Sequence, residues 1–379
     1  MRDVLYEKGY IRGPFGSALK RREMKNEGIP VYEQQHAIYD TRIFRYYIDE
    51  NKFQELKRFQ VLPNDLIVSC SGTIGKTSLI RKNDESGIIS QALLILRSNP
   101  NIIHPKFLKY FLETNKGYNS LISSAGGSSQ VNIAKKQIIL DIPLVVPNLQ
   151  LQCKIIDFLD KITNKIQLLE QKYEKYQEFK KYLMQQIFTQ KLRFDENCSF
   201  QTKKVKDHLS ESKIPGIDDI NKRLTVKLNL KGISIRESKT IEVEGATKQF
   251  IRKSGQFIYG KQNLHKGAFG IIPEDLDSYL TSSDIPSFDF KGEINPKWFY
   301  YYFSRKSFYE NLERLSTGTG SKRISPKDFL NIKIDIPDLN EQDKIVYLLE
   351  NIDKKIGDLT GEILQMNKFK KGLLQQMFV

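Results

Sequence analysis

Three cysteines, Cys70, Cys153 and Cys198, are all that the 379 residues contain, and they stand far apart. That leaves no disulfide framework and no zinc-type pair, which suits a reducing compartment. No apolar run reaches the roughly 18 residues that a membrane-crossing helix needs, and the N-terminus lacks a signal-peptide hydrophobic stretch. A cytoplasmic protein without a membrane partner is the expectation. The four histidines, His36, His104, His208 and His265, are isolated and give no metal pair. There is no Gly-x-Ser-x-Gly elbow, no Asn/Asp-Pro-Pro-aromatic tetrad of the kind amino-methyltransferases use, and no glycine-rich methionine-cofactor loop. Acidic pairs such as Asp218-Asp219 and Glu274-Asp275 read as solvated loop charges rather than a nuclease cluster. Ser71-Gly72-Thr73-Ile74-Gly75-Lys76-Thr77 comes near a phosphate-binding loop, but the place of its first glycine is taken by Cys70 and the following residues read as strand. Two readings of it stay open: a hairpin loop with Lys76 able to reach a phosphate, or a structural turn. No catalytic residue and no metal ligand is expected, which leaves a binding or assembly role.

What is present is a repeat. Ile155, Leu159, Ile162, Ile166, Leu169, Tyr173, Tyr176, Lys180, Leu183 and Ile187 follow one another at alternating steps of four and three. That is a heptad seam, apolar except for one lysine. At an offset of 190 the seam returns as Ile345, Leu349, Ile352, Ile356, Leu359, Ile363, Met366, Lys370, Leu373 and Met377. Pro147–Phe188 and Pro337–Phe378 agree at 17 of 42 positions without a gap, and both end in Phe-Lys-Lys-x-Leu-x-Gln-Gln-x-Phe. A helix over residues 153–188 would span about 54 Å. Its single stripe needs a partner, and the second copy supplies one, expected to pack antiparallel. The seam lysines either fix register or reach past the helix end to water; the second is the simpler expectation.

The segments implied are a body at 1–146, a first long helix at 147–193, a second body at 194–336 and a second long helix at 337–379. Their net charges are +7, +4, +5 and −1, together the +15 of the whole chain. Basic bodies suit a polyanion such as DNA, although a lysine-rich solvated surface has the same composition. In the first body, Ile29–Tyr32, Leu66–Ser69, Lys76–Arg81 and Gly87–Leu96 read as strands, and Pro105–Leu112 as a helix started by proline. Pro296–Phe303 repeats that helix at an offset of 191, and Ile324, Lys327 and Leu330 echo Ile133, Lys136 and Leu140. Residues 1–60 and 205–250 share little, so the bodies have one scaffold with different inserts. The second body has Phe200–Val205 ahead of Asp207-His208-Leu209, whereas the first begins near its counterpart of Asp207. Small polar loops at 126–130 and 316–323 follow the proline-started helices. Backbone N–H, hydroxyl, Gln, Lys and Arg groups are the usual donors to phosphates and base edges.

The plan resembles the specificity (S) subunit of type I restriction–modification systems. The likeness rests on the repeated Pro-x-Leu-x-x-Gln helix opening at Pro147 and Pro337, the paired ends Lys181–Phe188 and Lys371–Phe378, and Ser71–Lys76. It implies an α+β fold: two mixed α/β target-recognition domains joined by two long helices that form an antiparallel coiled coil, as a pseudo-two-fold tandem repeat. It also implies a non-catalytic DNA-recognition subunit that reads a split target. The expected partners are double-stranded DNA, two methyltransferase (M) subunits and two restriction (R) subunits. S-adenosylmethionine belongs to M, and ATP with Mg²⁺ to R; the chain has no cofactor of its own. Candidate DNA-contacting residues are Lys20, Arg21, Arg22, Thr73, Lys76, Ser128, Ser129 and Gln130 in the first body, and Lys261, Lys266, Thr319, Ser321, Lys322 and Arg323 in the second. The nearest second-body counterpart of Ser71–Lys76 is Tyr259-Gly260-Lys261. A recognition subunit of a type IIB or IIG system, and a coiled-coil adaptor that binds only protein, are the alternatives.

Overall fold

The computed structural model describes every residue except 16–17, 125–130, 134, 197, 238–244, 246, 317–321 and 379. Its contacts group into two compact units that cut across the segments read from sequence. One comprises Met1–Glu170 with Gly361–Val379, and the other Gln171–Thr360. Each therefore contains a body, part of the helix Leu149–Phe188 and part of the helix Leu339–Met377.

The first unit is built on a four-stranded antiparallel sheet in the order Leu5–Arg12, Leu93–Ser98, Leu66–Ser69, Thr77–Leu79. Alternate residues of a strand point to opposite faces, and both faces here are covered. Leu66, Val68, Leu94 and Leu96 join a core with Phe107, Phe111, Leu159 and Phe378. Ile67, Leu93 and Ile95 join a second core with Val31, Tyr32, Ile88 and Phe53. That explains why residues 66–68 and 93–96 are apolar at every position rather than alternating. The stretch Gly87–Leu96, expected as one strand, is two: Ile88–Ile89 and Leu93–Ser98. A turn closed by the Leu93 N–H on the Ser90 carbonyl separates them, and Ile88–Ile89 pairs with Ile29–Tyr32 instead.

The second unit repeats the four-stranded sheet in the same order: Leu209–Ser212, Ser287–Phe290, Phe257–Tyr259, Phe269–Ile271. Its core is aromatic, with Phe257, Tyr259, Phe269 and Phe288 packed on Trp298, Phe299, Phe303 and Phe329. It also has a strand pair with no equivalent among the described residues of the first unit. Gln201–Lys204 lies antiparallel to Lys333–Ile336, whereas residues 142–148 are irregular.

Within each unit the long helices run antiparallel. In the first, Ile155, Ile156 and Leu159 share a core with Leu373, Leu374, Met377 and Phe378, and Lys165 pairs with Glu362 at 3.4 Å. In the second, Leu183, Ile187 and Phe188 share a core with Ile345, Val346, Leu349 and Ile352. Of the seam residues, Leu159, Ile162, Ile166, Leu183, Ile345, Leu349, Ile352 and Leu359 are buried, while Ile155, Leu169, Ile356 and Leu373 are half-buried. The repeated terminal phenylalanine docks on the proline-started helix. The Phe378 ring lies 4.8 Å from that of Phe107, and Phe188 lies 6.1 Å from Trp298 and 5.5 Å from Tyr302.

The repeated helix opening has a physical cause. Gln152 is fully buried; its carbonyl accepts from the His104 N–H at 2.7 Å, and its amide donates to the Ile102 and Pro147 carbonyls at 3.0 and 2.8 Å. Gln342, also fully buried, accepts from the Asn295 N–H at 2.8 Å and donates to Pro337 at 2.9 Å. Each glutamine ties the start of a long helix to the loop before a proline-started helix, with its polar groups satisfied.

The seam lysines correct the expectation that they reach for water. Lys180 bonds Asp353 at 2.5 Å and lies over the Tyr301 ring, whose hydroxyl donates to the other oxygen of Asp353 at 2.7 Å. The place of Asp353 in the first repeat is taken by Thr163, and Lys370 lies over Tyr110 with Glu113 at 3.9 Å. Burial holds the Lys370 ammonium below the ordinary lysine value, against the pull of Glu113. Tyr110 and Lys106 both bond Asp160, at 2.6 and 2.7 Å. Burial raises the Asp160 carboxyl, but those two bonds together with the charges of Lys106 and Lys109 outweigh it and hold the group below the usual range.

Replacing Gln152 with Ala would strand the His104 N–H and two carbonyls, and should cost the first unit about 1–3 kcal/mol in urea denaturation. Burial, the largest cause in each case, lowers the pKa of all four histidines below 6.5. The folded chain thus keeps them neutral while the unfolded chain takes protons as pH falls below 6.5, so stability should drop there. Melting temperatures between pH 7 and pH 5 test this; a flat profile would contradict it.

Candidate nucleic-acid interface

The Cys70–Lys76 loop closes the hairpin of Leu66–Ser69 and Thr77–Leu79, so strand rather than helix follows the loop. Ser69 organises it. Its hydroxyl donates to the Thr73 carbonyl at 2.6 Å and accepts from the Lys76 N–H at 2.9 Å, and its carbonyl accepts from Gly75 at 2.9 Å. Gly72 and Gly75 have φ of +59° and +76°, where an L side chain is strained. A Cβ at Gly75 would also lie 2.9 Å from the Tyr118 ring. The loop presents Thr73 and Lys76 to solvent, and Ser71 bonds Gln34 at 3.1 Å.

Lys20, Arg21 and Arg22 are exposed on a single helical turn capped by the Glu23 carboxylate, which accepts from the Lys20 N–H at 2.6 Å. Glu23 also pairs with Lys52 at 3.2 Å. This turn leans on the helix Glu50–Glu55, while the hairpin loop leans on Gln34 and Tyr118, so the two candidate groups have different neighbours. Ser128, Ser129 and Gln130 lie outside the described residues, as do Thr319 and Ser321.

In the second unit the candidate cations gather around two acids. Lys322 pairs with Glu313 at 3.2 Å. That bond, helped by the charges of Lys322, His265 and Lys266, holds the Glu313 carboxyl below its usual value. Arg323 pairs with Asp284 at 3.1 Å. The Asp284 carbonyl accepts from the Lys261 N–H at 2.9 Å, and the Lys261 carbonyl accepts from the Ile324 N–H at 2.9 Å. Lys261 and Arg323, distant in sequence, thus share one short backbone frame. Lys266 is exposed on the turn Leu264–Lys266 and, like Lys20, Arg21, Arg22, Lys76 and Lys261, carries no ion pair among the described residues.

Lys261 also lines a cleft of about 360 Å³ whose wall holds three cations that the candidate set did not include: Lys213, Arg252 and Lys327. Arg252 ends the strand Gln249–Arg252 and is 1% exposed. Its sequence setting, Gln-Phe-Ile-Arg, is that of an ordinary strand end. Its partners lie some thirty to forty residues away, so no local spacing marks it. Lys327 had a signal, as the echo of Lys136. No group of His, Cys, Asp and Glu among the described residues could hold a metal ion, and no described helix is long and apolar enough to cross a membrane.

A family model described as the type I restriction modification DNA specificity domain matches residues 16–178 and again 184–366. The chain is 22% identical over 388 residues to the type I restriction enzyme MjaVIII specificity subunit of Methanocaldococcus jannaschii, covering 95% of this chain and 89% of that one. It is 24% identical over 354 residues to the putative type I restriction enzyme MjaX specificity subunit of the same organism, covering 86% and 80%. Two solved structures share its fold. The S subunit of a type I restriction–modification system from M. genitalium has a TM-score of 0.55 at 13% identity, covering 100% of this chain and 94% of that one. The HsdS subunit from Thermoanaerobacter tengcongensis has 0.51 at 14% identity, covering 94% and 93%.

Replacing Gly75 with Ala should cost the first unit about 1–2 kcal/mol, from its left-handed backbone and the tyrosine ring above it. Adding Tyr118→Ala should return only the steric part; denaturant titration of the single and double variants checks both.

Proposed function

This chain belongs to the type I restriction modification DNA specificity family, and we propose that it reads a split DNA target, one half with each unit, without an active site of its own. Two methyltransferase subunits and two restriction subunits assemble on it in the cytoplasm. S-adenosylmethionine serves the first pair, and ATP with Mg²⁺ the second. The observation that carries the reading is the repetition of one scaffold with different surroundings. The two four-stranded sheets have the same strand order, and the terminal phenylalanine and buried glutamine recur in both units. The residues around them differ: helices Gln34–Tyr39 and Glu50–Glu55 in one, strands Ile214–Gly216, Leu224–Val226 and Ile233–Ile235 in the other. Two readers on one frame would discriminate two unlike half-sites.

The test is a methylome of a methylation-deficient host expressing this chain with its methyltransferase subunit. A split motif with a fixed gap, absent when this chain is omitted, is the expected result. If the methyltransferase is active with another specificity subunit yet marks no new motif here, either the first body is defective or the chain is a protein-only adaptor. A split motif made with a single fused methyltransferase–nuclease would place the chain in a type IIB or IIG system. Arg323→Ala should weaken recognition at one half of the motif only. Equal loss at both halves would count against two independent readers.

A further inference from the structure

We propose that the cleft around Arg252 in the second unit seats one phosphodiester of the DNA backbone and anchors that unit on the duplex irrespective of sequence. The inference rests on the DNA-reading function and assigns a role within it. Arg252 is buried, and every hydrogen-bond partner of its guanidinium among the described residues is neutral. Nε donates to the Thr281 hydroxyl at 2.5 Å; Nη1 donates to the Ser212 carbonyl at 3.1 Å and the Ser287 hydroxyl at 2.9 Å; Nη2 donates to the Ile285 carbonyl at 3.0 Å. The other buried arginine among the described residues, Arg223, has the Asp218 carboxylate at 2.5 Å. Half-buried Arg97 has Asp65 at 2.7 Å. A buried charge without a directly bonded acid is costly, and burial pulls the Arg252 guanidinium down to about 10 although the charge of Glu211 opposes it. At neutral pH it remains charged, and its field enters the cleft that it lines.

The cleft adds to that field. Lys213, Lys261 and Lys327 line it with the backbone or hydroxyls of Ser212, Ser283 and Ser325, against one carboxylate, Glu211. Glu211 is already paired with Lys213 at 2.9 Å, while Lys261 and Lys327 carry no ion pair among the described residues. Four cations and one acid around a space of about 360 Å³ fit a compact monoanion with several acceptor oxygens. A backbone phosphate is that group. Base edges would need donors and acceptors set for one pattern, and this wall offers chiefly positive charge.

The experiment uses the full chain with its methyltransferase subunit, and fluorescence anisotropy on two duplexes: one with the methylated motif and one of unrelated sequence. Lys261→Ala combined with Lys327→Ala leaves buried Arg252 in place, so folding is not at issue. Loss of one phosphate contact should weaken both duplexes by about tenfold and make the slope of log affinity against log salt shallower by about 1. Arg at both positions should restore both values. Lys306→Ala, on an exposed pair with Glu310 elsewhere in the unit, should change neither. Replacing single phosphates of the motif duplex by uncharged methylphosphonate should reproduce the loss at one position, and should add nothing in the double variant. An unchanged salt slope in the double variant, with wild-type binding intact, overturns the anchor alone. Loss confined to the motif duplex makes the cleft a base reader and also overturns it. Wild-type protein that binds neither duplex overturns the DNA-reading function together with the anchor.

Discussion

A helix of some forty residues with a single apolar stripe cannot stand alone in water; its fate depends on what covers the stripe. Here each helix start is covered by the end of the other helix and by a body, and that constraint governs the rest. It explains the buried glutamines, which fix where each helix begins against its body. It explains the terminal phenylalanines, which close the far end over Phe107 and Trp298. It also explains why the seam lysines found acids. A lysine under a tyrosine ring, with a body beside it, is too enclosed to hydrate freely, so Asp353 or Glu113 takes the place of water.

The bodies divide their labour between sheet and surroundings. The central strands of the first unit's sheet are buried on both faces, which leaves hairpin loops, helical turns and the margins where strands end as the surface open to a ligand. Thr73 and Lys76 project from such a loop, and Lys261 from such a margin. In the second unit the candidate cations are already arranged around Glu313 and Asp284. These pairs are exposed and cheap to exchange for phosphate. They hold long side chains in place before a ligand arrives, which lowers the ordering cost of binding.

The helices and their pairing were legible because heptad spacing is local and was written twice. The Pro105–Glu113 and Pro296–Phe303 helices were legible from the proline at their first position. The sheets were legible only as isolated strands. Their members are two to eight residues long, and their order is set by pairings such as Leu5 with Ser98 that no neighbouring residue encodes. Gly87–Leu96 misled because an apolar run does not reveal that its middle turns to serve two sheets. The lysines misled because their acids, Asp353 and Glu113, lie far away in the chain. Arg252 was invisible for the same reason: its significance is the absence of an acid among hydrogen-bond partners from two distant stretches, Ser212 and residues 281–287.

The first unit is not continuous in the chain: Met1–Glu170 is completed by Gly361–Val379, with the whole second unit nested between. During synthesis the N-terminal body leaves the ribosome first, yet Leu159 and Phe107 gain their Phe378 cover only after the whole second unit has been made. The nested unit has all its parts in sequence and can close earlier. Nascent chains should therefore pass through a stage with one finished unit and one still exposing apolar surface. A chain truncated before Gly361 would keep that exposed state permanently, giving a product that chaperones and proteases recognise rather than one with a single sound unit.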